Sequence, residues 1–335
     1  MDTHRLESLL SRFSALTVLV VGDYFLDQYL VIDPKHAETS LETGLEVHQV
    51  VQVRNAPGAA GTVTSNLGSL GVKVVALGVI GDDGNGYELK RALAATGVDL
   101  ASIIESRERF TPTYVKPLRD GRELNRVDIK NRTPLPQELE DMLITRLRVL
   151  SARVNGVIVV DQVQEQNCGG ITDHVRKEIS ALARDKIVLA ESRERIGSFH
   201  GVIAQANARE ARRATGLEQI EECGMELHRR NNRPAIITIG TGGILIFDKA
   251  GSAHAPAVPT RGPIDTVGAG DSVIAGFTAA LCAGAALREA AEIGNLIASV
   301  TIQQIGTTGA ATSEQVLVAN QHQPRDDRGW SELDG

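Results

Sequence analysis

Six apolar runs punctuate the chain: "TVLVVGD" (17–23), "KVVALGVIG" (73–81), "GVIVVD" (156–161), "KIVLAES" (186–192), "GVIAQAN" (201–207) and "AIITIG" (235–240). None of them alternates with polar residues. Such runs are strands buried on both faces, the condition inside a parallel sheet. Between them lie stretches of helical character at 60–70, 84–96, 137–150, 170–184 and 208–230. Alternation of strand and helix predicts a doubly wound, mostly parallel α/β sheet with helices on both faces.

Two segments break this rhythm. Residues 28–54 (QYLVIDPKHAETSLETGLEVHQVVQVR) and 110–130 (FTPTYVKPLRDGRELNRVDIK) alternate apolar and polar positions, the second turning at Asp120-Gly121. Alternation leaves one face wet, so the pair predicts a small antiparallel β sheet standing off the main one. A lid over the sheet edge and a dimerisation surface are both open readings. Residues 241–258 predict a further hairpin, and Ala-rich helices are expected over 268–283 and 286–305. The opening MDTHRLESLLSRF reads as a short amphipathic helix and 319–335 as a frayed polar tail. The expected organisation is one domain over 1–318, followed by that tail.

At 335 residues the chain can bury the core of one large α/β domain. Aromatic residues make up only 3% and the net charge is −7, which argues against a nucleic-acid partner and an acidic membrane surface. No apolar run reaches membrane-spanning length, and the N-terminus lacks the apolar core of a signal peptide. Cys168, Cys223 and Cys282 are scattered and form no CxxC pair. A cytoplasmic protein with reduced thiols is expected. The eight histidines show no metal-ligand spacing, and neither a Walker motif, a GxGxxG after the first strand nor a GxSxG elbow occurs.

Polar residues collect at the predicted strand ends: Asp23, Asp161, Glu191 and Asn207. Open α/β sheets bind ligands at that edge, although each residue could equally be a cap or turn former. The stretch "GPIDTVGAGDSVIAGF" (262–277) sets Gly268, Ala269, Gly270 and Asp271 just before an apolar helix. Small residues at a helix start let an anion approach free N–H groups and the positive end of the helix dipole. A carboxylate in that position suits a base for a substrate hydroxyl held beside a phosphoryl group. Alternatively, Asp271 is only a first-turn carboxylate stabilising its helix. "NARE" (207–210) has capping-box spacing, and its Asn207 and Glu210 could also orient a hydrated Mg²⁺.

Together these stretches resemble the ribokinase-like (PfkB) carbohydrate kinases. "DTVGAGD" (265–271) is similar to their C-terminal signature, "PGAAGTVTSNLGSLG" (57–71) with "GVIGDDGNG" (78–86) to their N-terminal one, and "NARE" to their NxxE motif. The resemblance runs from about residue 17 to 318, nearest to the heptose-7-phosphate kinase branch. The nucleotidyltransferase domain that often follows there is not expected in the short stretch after 318. The resemblance implies ATP-dependent phosphorylation of a sugar or sugar-phosphate hydroxyl, with Mg²⁺ and, in many members, K⁺. It implies Asp271 as the base and Gly268, Ala269 and Gly270 as the anion hole. Asp23, Asp27, Gly58, Ala59 and Thr62 would meet the sugar. Asn207, Glu210, Thr238, Gly240, Gly243 and Asn295 would serve ATP and Mg²⁺, and Asp265 and Thr266 a monovalent cation. The off-sheet segments match a lid that often clasps a second subunit, implying a homodimer. Two departures touch the sugar side: Thr62 stands where the family commonly has Asn, and "GAAG" replaces paired glycines. A nucleoside kinase, with Tyr29, Phe110 and Tyr114 as its aromatic wall, and a catalytically silent sugar-binding protein remain as rival readings.

Overall fold

The main sheet has eight strands, and six contiguous ones, reaching one edge of the sheet, come from the six apolar runs. In spatial order they are Gly251–Ala255, Ile244–Asp248, Ala235–Thr238, Ile203–Asn207, Ile187–Ser192, Gly156–Asp161, Thr17–Gly22 and Lys73–Leu77. The last six are mutually parallel, and the first two form the antiparallel hairpin expected over 241–258. This computed structural model describes residues 1–322.

The continuous apolar strands have a direct physical reason. Successive side chains of a strand point to opposite faces, and both faces here are covered. Val18 and Val20 enter a core shared with the helices Ala60–Ser69, Ala269–Cys282 and Leu287–Thr301. Leu19 and Val21 enter the opposite core, shared with Gln137–Ser151, Asp173–Leu182 and Ile220–Asn231. A polar residue at any of these positions would be buried without a partner, which costs more than an exposed substitution.

The second sheet draws its strands from both alternating segments. Tyr24–Ile32 pairs antiparallel with Val50–Ala59, and Thr113–Arg119 pairs antiparallel with Arg122–Glu123 and Val127–Ile129. The two segments join through a parallel pairing of Tyr24–Ile32 with Thr113–Arg119. The sheet is therefore antiparallel at every pairing except this central one.

Several boundaries differ from the sequence reading. The run 73–81 divides at Gly78, and Val79–Gly81 leaves the main sheet to pair with Ile104–Ser106. The helical stretch 208–230 is two helices, Ala208–Thr215 and Ile220–Asn231. Gly216, at φ 75°, ends the first, its N–H bonding the Arg212 carbonyl at 2.8 Å. That left-handed cap is a glycine signal that uniform polarity around it concealed. The helix Ser313–Gln321, started by a Thr312–Gln315 capping box, runs into the stretch read as a frayed tail. Residues 323–335 of that stretch lie outside the described residues.

Candidate active site

A cavity of about 290 Å³ lies between the carboxyl edge of the main sheet and the second sheet. Asp27, Gly58, Ala59, Thr62, Gly268 and Asp271 all line it, although they come from parts of the chain more than 200 residues apart. The fold thus brings together six of the residues singled out in the sequence.

The start of the helix Ala269–Cys282 is shaped by Gly268, whose φ of 80° is left-handed. A Cβ there would lie 3.3 Å from Thr62 Cγ2 and 3.5 Å from Thr308 Cβ. The Ala269 N–H donates to the Thr266 carbonyl at 3.2 Å, and the Ser272 N–H to that of Gly268 at 3.0 Å. Of the three residues expected as an anion hole, Ala269 therefore has its N–H engaged in the turn. Gly270 and Asp271 sit in the first turn, where N–H groups have no acceptor inside the helix. Nothing comes within 4 Å of the place a Gly270 side chain would occupy, so that turn opens to its surroundings.

Asp271 is half-buried, and its carboxyl pKa is pushed up to about 7. Loss of solvent is the main cause; Asp27 and Glu210 add to it, and Arg193 opposes it. A base of that pKa is half-deprotonated at neutral pH, where proton transfer from a hydroxyl is best matched.

Asp27 is 5% exposed and stands 3.1 Å from the Lys116 ammonium. Burial raises its carboxyl, while Lys116 and Arg126 pull the other way. Thr62 is 1% exposed and its hydroxyl donates to the Pro57 carbonyl at 3.0 Å. The hydroxyl read as a sugar contact is thus already directed at the backbone. Ala59 has φ 52° and ψ −119°, a conformation that only glycine adopts without strain. The departure from paired glycines noted in the sequence is therefore a strained alanine at the cavity wall.

Asp23 stands apart from the other residues expected to meet the sugar. It does not line this cavity: its carboxylate is 4% exposed and faces the loop 162–170. Oδ2 accepts the N–H groups of Gln162 and Val163 at 2.8 and 2.9 Å, and Oδ1 that of Gly170 at 2.7 Å. Burial and nearby Asp161 raise its pKa to about 6 against the pull of those three donors. In this arrangement the Asp23 carboxylate brackets the loop, with three backbone N–H groups on it.

The residues read as serving the nucleotide lie further along the same edge, outside the cavity. Asn207 and Glu210 form a complete capping box: Asn207 Oδ1 accepts the Arg209 and Glu210 N–H groups at 3.0 Å, and Glu210 Oε2 the Asn207 N–H at 2.9 Å. Thr238 lies opposite Asn207 in strand register. Gly240 opens the turn that Gly243 closes, where a Cβ would meet the Ala255 carbonyl oxygen at 2.3 Å. Asn295 is buried and donates to the Ala255 and Pro256 carbonyls at 2.9 and 3.0 Å, pinning the chain that follows the hairpin. Asp265 accepts from the Val267 and Gly306 N–H groups at 3.1 and 3.0 Å, tying the loop beyond 301 to the start of the Asp271 helix. Thr266 contributes its carbonyl to the same turn. Among the described residues no cluster of three or more His, Cys, Asp or Glu side chains could hold a metal ion.

Sequence reasoning missed Lys116, Arg126, Gln162, Arg193 and Thr308, all of which line the cavity. Lys116 and Arg126 belong to the 110–130 segment, where only the aromatic residues were considered. Gln162 and Arg193 follow the strands Gly156–Asp161 and Ile187–Ser192 directly. The rule that flagged Asp161 and Glu191 would have reached them if extended by two residues.

The site thus joins an α/β sheet, a second sheet over its carboxyl edge, and a helix opened by Gly268 that carries Asp271 between them. The model of the pfkB family of carbohydrate kinases matches residues 25–314, and the chain belongs to that family. It is 29% identical over 350 residues to the bifunctional protein HldE of Geotalea uraniireducens, covering 100% of this chain and 69% of that protein. It is 30% identical over 342 residues to the HldE of Trichlorobacter lovleyi, covering 98% and 68%. The chain thus spans about two thirds of these relatives' length. The ribokinase of Arabidopsis thaliana, solved with ribose and ATP, superimposes with a TM-score of 0.69 over 91% of this chain and 98% of that one, at 19% identity. That likeness concerns the fold. No helix among the described residues is long and apolar enough to cross a membrane.

Proposed function

We propose that this carbohydrate kinase transfers the γ-phosphoryl group of ATP to a hydroxyl of a sugar or sugar phosphate, with Asp271 as general base. The observation that carries the reading is the placement of Asp271 in one cavity with Asp27, Gly58 and Gly268, its carboxyl raised to about 7 at an open helix start. The acceptor hydroxyl would lie between Asp271 and the phosphoryl group. Its oxygen bonds to the γ-phosphorus, its proton passes to Asp271, and the bond from phosphorus to the ADP oxygen breaks. The Gly270 N–H and the helix dipole favour the phosphoryl oxygens as charge moves onto them. Gly58 and Ala59 would face the sugar, and Asp27, held by Lys116, would accept from its hydroxyls. Thr62 then acts through shape, its methyl against Gly268, rather than through its hydroxyl.

Thr238, Gly240, Gly243 and Asn295 would support the nucleotide. Glu210 keeps Oε1 outside its capping box, which fits a hydrated Mg²⁺ arriving on the phosphates and not a direct protein cage. Mg²⁺ supplies charge neutralisation there. Asp265 and Thr266 would provide carbonyl and carboxylate oxygens for K⁺. The second sheet would serve as lid and homodimer surface, since Val50, Val51, Val53 and Val127 are exposed on it.

A sugar is favoured over a nucleoside by the aromatic residues. Tyr114 alone of the three considered lines the cavity, and Arg126 covers its ring at 4.0 Å. A base would have to displace that guanidinium to stack. The test is ADP release from Mg-ATP over a panel of hexoses, pentoses, sugar phosphates, heptose phosphates and nucleosides, with Asp271→Asn alongside. Turnover on one sugar class, lost by about 10²-fold or more in the variant, supports the reading. Turnover that survives the substitution overturns it.

A further inference from the structure

Three cationic side chains line the cavity, and two of them already have carboxylate partners. Lys116 stands 3.1 Å from Asp27. Arg126 grips Asp128 through Nε at 2.6 Å and Nη2 at 3.0 Å. Arg193 differs: among the described residues no carboxylate lies within ion-pair distance of it, although the region is rich in them.

Arg193 is nonetheless held in place. Its Nε donates to Gln162 Oε1 at 3.0 Å. The amide of Gln162 donates in turn to Glu191 Oε1 at 3.0 Å, and Glu191 is 7% exposed. The Arg193 backbone is fixed at both ends, its N–H on the Asp161 carbonyl at 3.0 Å and its carbonyl under Arg213 Nη1 at 2.9 Å. Arg193 is exposed, its head in water as is usual for an arginine at a cavity rim. It is oriented through Nε, so that both terminal nitrogens are left to donate to something else.

We propose that Arg193 is a second catalytic residue, an in-built arginine that binds the oxygens of the transferred phosphoryl group from the side opposite the Gly270 helix start, with Gln162 as its positioning residue. The inference rests on the kinase reading above. Arg193 follows the strand between the one that ends before Gln162 and the one that ends at Asn207. It thus shares the cavity with Asp271 and follows the strand next to the one that ends at Asn207. Its charge is felt at Asp271, Glu191 and Glu210, lowering the pKa of each. In the transfer the acceptor oxygen bonds to phosphorus, the ADP oxygen leaves with its electron pair, and the proton moves to Asp271. Arg193 changes no bond; it donates hydrogen bonds to the non-bridging oxygens while charge shifts across them. A planar guanidinium suits that task better than an ammonium.

The experiment uses the full chain and reads binding and turnover separately. Calorimetry with Mg-ATP and Mg-ADP compares the wild type with Arg193→Ala, Arg193→Lys and Gln162→Ala. A γ-phosphoryl contact gives the wild type a preference for ATP over ADP that falls by about tenfold in Arg193→Ala. On the sugar that the wild type turns over, Arg193→Ala lowers kcat by about 10²-fold or more while the sugar KM moves less than about threefold. Added guanidinium restores part of that rate in Arg193→Ala and none in Asp271→Asn. Gln162→Ala lowers kcat in the wild-type background and has no further effect on top of Arg193→Ala, as positioning requires. An unchanged ATP-to-ADP ratio and a kcat within about threefold of the wild type in Arg193→Ala would overturn the inference. Loss in Asp271→Asn with no loss in Arg193→Ala sinks this inference and leaves the kinase reading standing. Survival of turnover in Asp271→Asn sinks the kinase reading instead.

Discussion

The Lys116 ammonium stands 3.1 Å from Asp27 Oδ1, and the two side chains are 9% and 7% exposed. A charge pair so far from water depends on both members. Removing one leaves the other buried and uncompensated, which costs about 3–5 kcal/mol in comparable sites. Lys116→Met should therefore lower the unfolding free energy by several kcal/mol, and adding Asp27→Asn should recover most of the loss. Urea denaturation of the two single variants and the double variant measures it. Equal and additive losses would mean that the pair is not coupled.

Asp271 carries a pH signature in activity. With its carboxyl at about 7, kcat/KM should rise through that pH and level off above it as the base loses its proton. A profile already flat from about pH 5 upward would show an ordinary carboxylate and count against a base raised by loss of solvent.

The same group affects stability with the opposite slope. Its folded pKa exceeds the unfolded value, so the folded state binds the proton more tightly. The associated stability is complete below about pH 4 and is lost as pH rises through about 7. Asp271→Asn, which carries no charge at any pH, should therefore raise Tm at about pH 8 and change it little at about pH 4. A variant less stable than the wild type at the higher pH would contradict this.

Asp23→Ala separates a bracket from a sugar contact. Three backbone N–H groups at 2.7 to 2.9 Å would lose their acceptor, at a cost of about 3 kcal/mol or more. The sugar KM of the folded fraction should stay within about threefold of the wild type. A large rise in KM without loss of stability would return Asp23 to the substrate.

Ala59→Gly should stabilise the chain. Relief of the strain at φ 52° and ψ −119° is worth about 1–3 kcal/mol, less the entropy of a freer unfolded chain. A gain of about 1 kcal/mol in chemical denaturation is the expected result. A loss would mean that Ala59 is not held in that conformation.

Much of this was legible in the chain. The apolar runs, unbroken by polar residues, dictated the two-sided sheet, and the alternation at 28–54 and 110–130 the second one. Asp271 and Gly268 stood out because two glycines and a carboxylate precede an apolar helix, although a plain first-turn carboxylate was equally open. Asp23 is ambiguous in the sequence because a carboxylate at a strand end looks the same whether it faces a ligand or a loop. Nothing local separates the two; only the path of residues 162–170, far away in the chain, does so. Lys116 and Arg193 were passed over for the same reason, since their value lies in what the fold sets opposite them.

Asp23 also sits at a mechanical junction. The strand Thr17–Gly22 belongs to the main sheet and Tyr24–Ile32 to the second, with that single residue between them. The return strand Val50–Ala59 ends at the same point, where the Ala60 N–H bonds the Asp23 carbonyl at 3.0 Å. Two of the second sheet's chain connections, at Asp23 and at Ala59–Ala60, thus meet at one point. The three hydrogen bonds on the Asp23 carboxylate hold this junction, so the set of the second sheet depends on a residue outside the cavity.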